Sequence, residues 1–210
     1  MKKILSYPLP SHTDLPKSLA NWLPNRNRTA LLIHDMQKYF VDFFETGVSP
    51  INNVINNIHT LLYIARNFNI PVFYTAQPGS MTPEQRGLLK DIWGNGMKAI
   101  DEHRAITPPL IPIKDETILT KWRYSAFFKS NLLHDLNYLN RNQLIICGVY
   151  AHIGCLSTAI DAYSHNIETF FVSDAVADFS EEKHHLALDM AAELCSVVIP
   201  TEQVIKNLRK

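Results

Sequence analysis

The sequence predicts a three-layer α/β fold, Rossmann-like, in which a six-stranded and mostly parallel sheet lies between two layers of helices. Three observations carry this expectation. Short apolar runs rich in β-branched residues recur at 29–33, 71–75, 117–120, 143–148, 168–172 and 196–199. Several are apolar almost throughout instead of alternating, as strands covered on both faces are. The intervening stretches can form amphipathic helices, and strand–helix alternation that returns each time to the same side makes a sheet parallel.

The elements follow in chain order. Residues 1–28 read as an irregular arm or short helix. After the first strand, Val54, Ile55, Ile58, Leu61, Leu62 and Ala65 keep helical spacing with Asn52, Asn56 and Asn57 opposite them, until Asn69 and Pro71 stop the helix. Pro108, Pro109 and Pro112 punctuate a loop before the third strand. Later helices are expected at 131–140, 155–166 and 181–194. No repeat, low-complexity tract or linker divides the chain. Its 210 residues, 46% of them hydrophobic, suffice for one sizeable core, so a single domain over 1–210 is expected.

Twenty basic residues balance twenty acidic ones. No long-range field therefore gathers nucleic acid or an anionic membrane, and the expected partner is a small molecule in a local pocket. Cys147, Cys155 and Cys195 show no CxxC spacing and cannot all pair within one chain, which fits a reducing compartment. The apolar stretch in MKKILSYPLP is too short for a signal segment, and no run reaches the roughly 18 apolar residues of a membrane span. A soluble, cytoplasmic protein is expected.

Ligands of an open parallel sheet collect at the carboxyl ends of its strands. The first strand ends at His34-Asp35, where the carboxylate can face the crevice or cap the next helix. The third ends at Thr120-Lys121. Lys121 can reach Asp35 if those strand ends are neighbours, or else lie on a surface loop. The fourth, QLIICG, runs through Val149 to Cys155 into a helix, and free N–H groups at such a start suit an oxyanion or carboxylate. Cys155 there invites a nucleophile reading, because a helix start favours thiolate. No G-x-S-x-G elbow surrounds Ser157, Ser164 or Ser173. His34, His152, His184 and His185 lack the spacing of a tetrahedral metal site, so structural or surface roles are expected of them.

Taken together these strand ends resemble the isochorismatase-like hydrolase superfamily, whose cysteine hydrolases draw an Asp, a Lys and a Cys from the same places. The resemblance covers nearly the whole chain. More narrowly, ALLIHDMQKYF at 30–40, YTAQPGSMTPEQRGLLKDIWG at 74–94, TKWRYSAFF at 120–128, GVYAHIGCLSTAIDAY at 148–163 and VSDAVADFS at 172–180 are similar to true isochorismatases. In the cysteine hydrolases the nucleophile falls six residues after the glycine ending the fourth strand. From Gly148 that count lands on Gly154, with Cys155 one place further. One residue turns a helical side chain by about 100°, so Cys155 should point away from the crevice. Isochorismatases are similar in carrying glycine there, which leaves room for a ring and removes covalent catalysis.

The resemblance implies hydrolysis of isochorismate to 2,3-dihydroxy-2,3-dihydrobenzoate and pyruvate, as in siderophore synthesis. Asp35 would be the general acid, with Lys121 beside it and the Gly154 N–H at the helix start. Gln77, Arg86 and Tyr150 match positions that orient carboxylates, and Tyr39, Phe40 and Trp93 would supply apolar walls. By residue type alone Arg86 is more often a solvated helix residue, and each of those aromatics is as readily core. A cis peptide is expected at Val149-Tyr150. The related nicotinamidases carry a histidine-containing zinc motif after the second strand, whereas TAQPGSMTPEQR has no histidine, so neither metal nor cofactor is expected. The nearest alternative is the same chemistry on 2-amino-2-deoxyisochorismate in phenazine synthesis, toward which the lack of a carrier-protein domain after VIKNLRK leans. A cysteine amidohydrolase using Cys155 and a silent binding module are the other readings. The family implies a homodimer or higher homo-oligomer, and a carrier-protein or synthetase partner would not be visible in this sequence.

Overall fold

A computed structural model describes residues 2–210. Six strands, β1 (Thr29–His34), β2 (Val72–Ala76), β3 (Thr117–Thr120), β4 (Gln143–Val149), β5 (Glu168–Ala177) and β6 (Ser196–Ile199), form one sheet in the order β3-β2-β1-β4-β5-β6. Every neighbouring pair is parallel. The chain steps outward from β1 to β2 and β3, then crosses to β4. The order therefore reverses between β1 and β4, and the crevice at a parallel sheet's carboxyl edge opens at such a reversal.

The helices are α1 (Lys38–Val41), α2 (Ile51–Asn67), α3 (Pro83–Arg86), α4 (Leu89–Trp93), α5 (Asp101–Arg104), α6 (Leu132–Tyr138), α7 (Leu156–Ser164), α8 (Glu181–Leu194) and α9 (Thr201–Leu208). Alternation along the buried strands builds two cores. Leu31, Ile33, Ile145 and Phe170 face α2 and α9, while Ala30, Leu32, Ile146 and Phe171 face α6, α7 and α8. β1 and β4 are buried at every position, as their uninterrupted apolar runs require. Within α2, Val54, Ile58, Leu61, Leu62 and Ala65 are buried, and the helix stops before Asn69, whose φ is +54°.

The structure extends the expected pattern in three places. β5 runs five residues beyond the apolar stretch ending at Val172, past a register shift against β4. Asp174 interrupts the apolar run, and its carboxylate accepts hydrogen bonds from the backbone and hydroxyl of Thr201 (2.8 and 2.7 Å) at the start of α9. The helix expected at 155–166 begins with one π-helical turn, Ala151–Cys155, before α7. Finally α1, α3, α4, α5 and α9 arise in segments given no element from the sequence. All but α9 are four or five residues long, too short for an apolar period to show. Residues 2–28 are mostly irregular, with one 3₁₀ turn at His12–Asp14. Among the described residues no helix is long and apolar enough to cross a membrane.

Candidate active site

Asp35 follows β1 at the switch point, with φ +50°, a conformation uncommon for residues other than glycine. Its carboxylate is not a helix cap. One oxygen accepts from the Thr75 hydroxyl at the end of β2, which in turn accepts from the Asp35 N–H at 3.0 Å. The other accepts from Lys121 Nζ at 3.0 Å. Lys121 stands just beyond β3 and so reaches across the end of β2 to Asp35. Asp35 is 7% exposed and Lys121 3%, too buried for a surface lysine.

Behind this pair lies His34, fully buried, with Nδ1 3.2 Å from the Val149 carbonyl and Nε2 3.2 Å from the Thr158 hydroxyl. A neutral ring protonated on Nδ1 satisfies both, donating to the carbonyl and accepting from the hydroxyl. Burial, helped by the nearby Lys121 charge, pulls the His34 pKa down to about 4. Its approach to Asp35 (3.6 Å) is therefore no ion pair at neutral pH. The ring also fills the space at Gly154, where an added Cβ would collide with it. Close packing by His34 thus demands glycine at the position where the cysteine hydrolases place their nucleophile. Cys155 lies in the core between the sheet and α7, fully buried, and burial raises its thiol pKa well above the ordinary value. Cys147 and Cys195 are buried as well, and no cysteine lines the cleft.

Arg86 is 5% exposed, although an arginine near a helix end is usually solvated. Its Nε donates to the Gly94 carbonyl (2.9 Å) and Nη1 approaches Gln77 Oε1 (3.4 Å), while no carboxylate among the described residues pairs with it. Burial lowers its pKa, yet guanidinium stays charged. A buried cation without a counter-ion costs several kcal/mol, and this one lines the cleft. Gln77 is fixed by Gln37, which accepts from the Gln77 N–H (2.7 Å) and donates to the carbonyls of Gln77 and Arg104 (both 3.0 Å).

Aromatic rings close the cleft. Tyr150 packs edge-on to Phe40 (6.0 Å between centroids) and tilted on Phe179 (4.3 Å), with Trp93 5.9 Å from Phe179. The Tyr150 hydroxyl donates to the Phe40 carbonyl at 2.9 Å, and Trp93 Nε1 donates to the Tyr124 hydroxyl at 2.9 Å. The Val149-Tyr150 peptide is cis. The turn after it has less to offer than a bare helix start. The N–H of His152 goes to the Asp178 carboxylate (2.6 Å), and those of Ile153 and Cys155 go to the Tyr150 carbonyl (3.2 and 3.3 Å).

One cleft brings together Asp35, Lys121, Gly154, Gln77, Arg86, Tyr150, Tyr39, Phe40 and Trp93. It encloses about 590 Å³ of space not filled by atoms, counting open solvent at its mouth. Sequence reasoning missed Leu89, Gly96, Arg123, Tyr124, Ile153 and Phe179 in its lining, and Thr75, Gln37 and Asp178 behind it. Arg123 and Tyr124 directly follow Lys121 and Phe179 lies in VSDAVADFS, so adjacency to the motifs was their available signal. Among the described residues no three His, Cys, Asp or Glu side chains gather as metal ligands.

The family model described as the isochorismatase domain matches residues 29–203. The chain belongs to the isochorismatase family. A Bacillus subtilis protein named isochorismatase is 48% identical over 206 residues, covering 98% of this chain and 66% of that protein. The phenazine biosynthesis protein PhzD of Pseudomonas fluorescens is 48% identical over 202 residues, 96% of this chain and 97% of the relative. Enterobactin synthase component B of Escherichia coli is 45% identical over 203 residues, 97% of this chain and 71% of the relative. As an isochorismatase-family hydrolase, the molecule combines a buried acid–lysine pair, an unpaired buried guanidinium and an aromatic wall, with no thiol in reach of the cleft.

Proposed function

We propose that the enzyme hydrolyses the vinyl ether of isochorismate, a dianion, to 2,3-dihydroxy-2,3-dihydrobenzoate and pyruvate without a covalent intermediate, in siderophore synthesis. The observation that carries this reading is the buried Asp35–Lys121 pair in a cleft where Gly154 and the His34 ring occupy the nucleophile's place. The isochorismatase and enterobactin synthase relatives support the substrate and the pathway.

Protonation of the terminal methylene carbon limits hydrolysis of a vinyl ether. Protonated Asp35 delivers its proton to that carbon, and the ether oxygen stabilises the resulting oxocarbenium ion. Water adds to the cationic carbon and returns a proton to the Asp35 carboxylate. The hemiketal then breaks its bond to the ring oxygen, giving pyruvate and the ring hydroxyl. In the empty site Lys121 is hydrogen-bonded to the Asp35 carboxylate. When substrate binds, Lys121 turns to the enolpyruvyl carboxylate, which leaves Asp35 free to carry a proton, while Arg86 and Gln77 hold the ring carboxylate.

The PhzD relative supports a second substrate, 2-amino-2-deoxyisochorismate, on the same machinery. Pyruvate release from each compound, coupled to lactate dehydrogenase, separates them. The proposal expects a higher kcat/KM for isochorismate. Preference for the amine would move the enzyme to phenazine synthesis, and inertness toward both would sink the vinyl-ether reading.

A further inference from the structure

We infer that Arg123 is a second guanidinium of the substrate cleft, placed to hold the ring carboxylate together with Arg86 and leaving the other carboxylate to Lys121. The inference rests on the vinyl-ether reading and adds a specificity-determining contact to it.

Arg123 lines the cleft two residues past Lys121. It is held from three sides. Its Nη1 donates to the carbonyls of Gln85 (2.8 Å) and Trp122 (2.6 Å), and its guanidinium lies over the Phe128 ring, 5.6 Å from the centroid. Nη2 rests against Gly87, where an added Cβ would stand 2.8 Å away. Gly87 directly follows Arg86, so both arginines are seated on the end of α3. Neither is paired with a carboxylate among the described residues. Two like charges fixed side by side repel, and Arg123 is one of the charges that lower the Arg86 pKa. An anion between them relieves this repulsion, and a planar fork with free N–H groups suits a carboxylate. The charge count agrees. Arg86, Lys121 and Arg123 face one carboxylate, Asp35, so the lining carries a net positive charge, as a site for a dianion requires.

The test compares 2,3-dihydroxybenzoate with its neutral carboxamide by titration calorimetry, on the wild type and on the Arg123→Gln and Arg123→Lys variants, each checked for an unchanged melting profile. The wild type should prefer the acid, and Arg123→Gln should reduce that preference at least tenfold while amide binding holds. Arg123→Lys, which keeps the charge but not the fork, should fall between, and it carries the test if Arg123→Gln does not fold. An unchanged acid-to-amide ratio, or a wild type without preference for the acid, would overturn the role of Arg123. Turnover of isochorismate by the same wild type is read separately. An active enzyme with an unaltered ratio in the variants refutes Arg123 alone, and an inactive enzyme refutes the reaction while the ratio still decides on Arg123.

Discussion

Cys155 stands one residue past Gly154, and that offset takes its side chain out of the cleft. Its neighbour Gly154 lines the cleft, while its own thiol is sealed in the core beside α7. Burial disfavours the thiolate, so the group lacks both the access and the ionisation that a nucleophile needs. Cys155→Ser should therefore keep pyruvate release within a few-fold of wild type, at a stability cost of about 1–3 kcal/mol for the buried hydroxyl. Total loss of activity in a folded Cys155→Ser protein would contradict the noncovalent account. At this scale the sequence was most informative where motif and strand end coincided, as at Asp35, Lys121 and Gly154. It was silent on Thr75 and Gln37, because a threonine in a strand and a glutamine before a short helix carry no signal until folding sets them beside Asp35 and Gln77.

Elements position these residues through their ends. β1, β2 and β3 deliver Asp35, Thr75 and Lys121 side by side, and β4 delivers the Val149-Tyr150 peptide across the switch point. Strands with uninterrupted apolar runs were legible, since burial on both faces leaves its mark in composition. The far half of β5 was not, because Asp174 breaks the run while serving another element, the start of α9. Asp174→Ala should cost about 1–2 kcal/mol through the lost cap of α9, with kcat and KM unchanged because that helix start lies outside the cleft. Urea unfolding alongside the kinetic assay checks both halves, and a change in KM without a change in stability would refute this assignment.

The whole molecule carries two buried neutral histidines, His34 and His184, whose pKa values burial lowers from 6.5 to about 4. In the unfolded chain each binds a proton below about 6.5, and in the folded state only near 4. The unfolded state thus holds more protons in that window, and stability falls as pH drops through it. Above about pH 6.5 these two groups add no pH dependence to stability. The unfolding free energy from urea titrations should be level from pH 8 to about 7 and then decline by roughly several kcal/mol in all toward pH 4, with the midpoint falling alongside it. A midpoint unchanged down to pH 4.5 would mean that these rings are not held neutral. The strand order β3-β2-β1-β4-β5-β6, unlike the strands themselves, could not be read from composition, because it is set by pairing between distant segments, as where Leu31 of β1 lies beside Val72 of β2 on one side and Ile145 of β4 on the other.

In the proposed mechanism Asp35 supplies the proton that breaks the vinyl ether. The decisive experiment is pyruvate release from isochorismate by the wild type and by a folded Asp35→Asn variant. The wild type should turn over, and kcat should fall roughly 10²- to 10⁴-fold in the variant, the size of a lost general acid. A variant that releases pyruvate at close to the wild-type rate would contradict it.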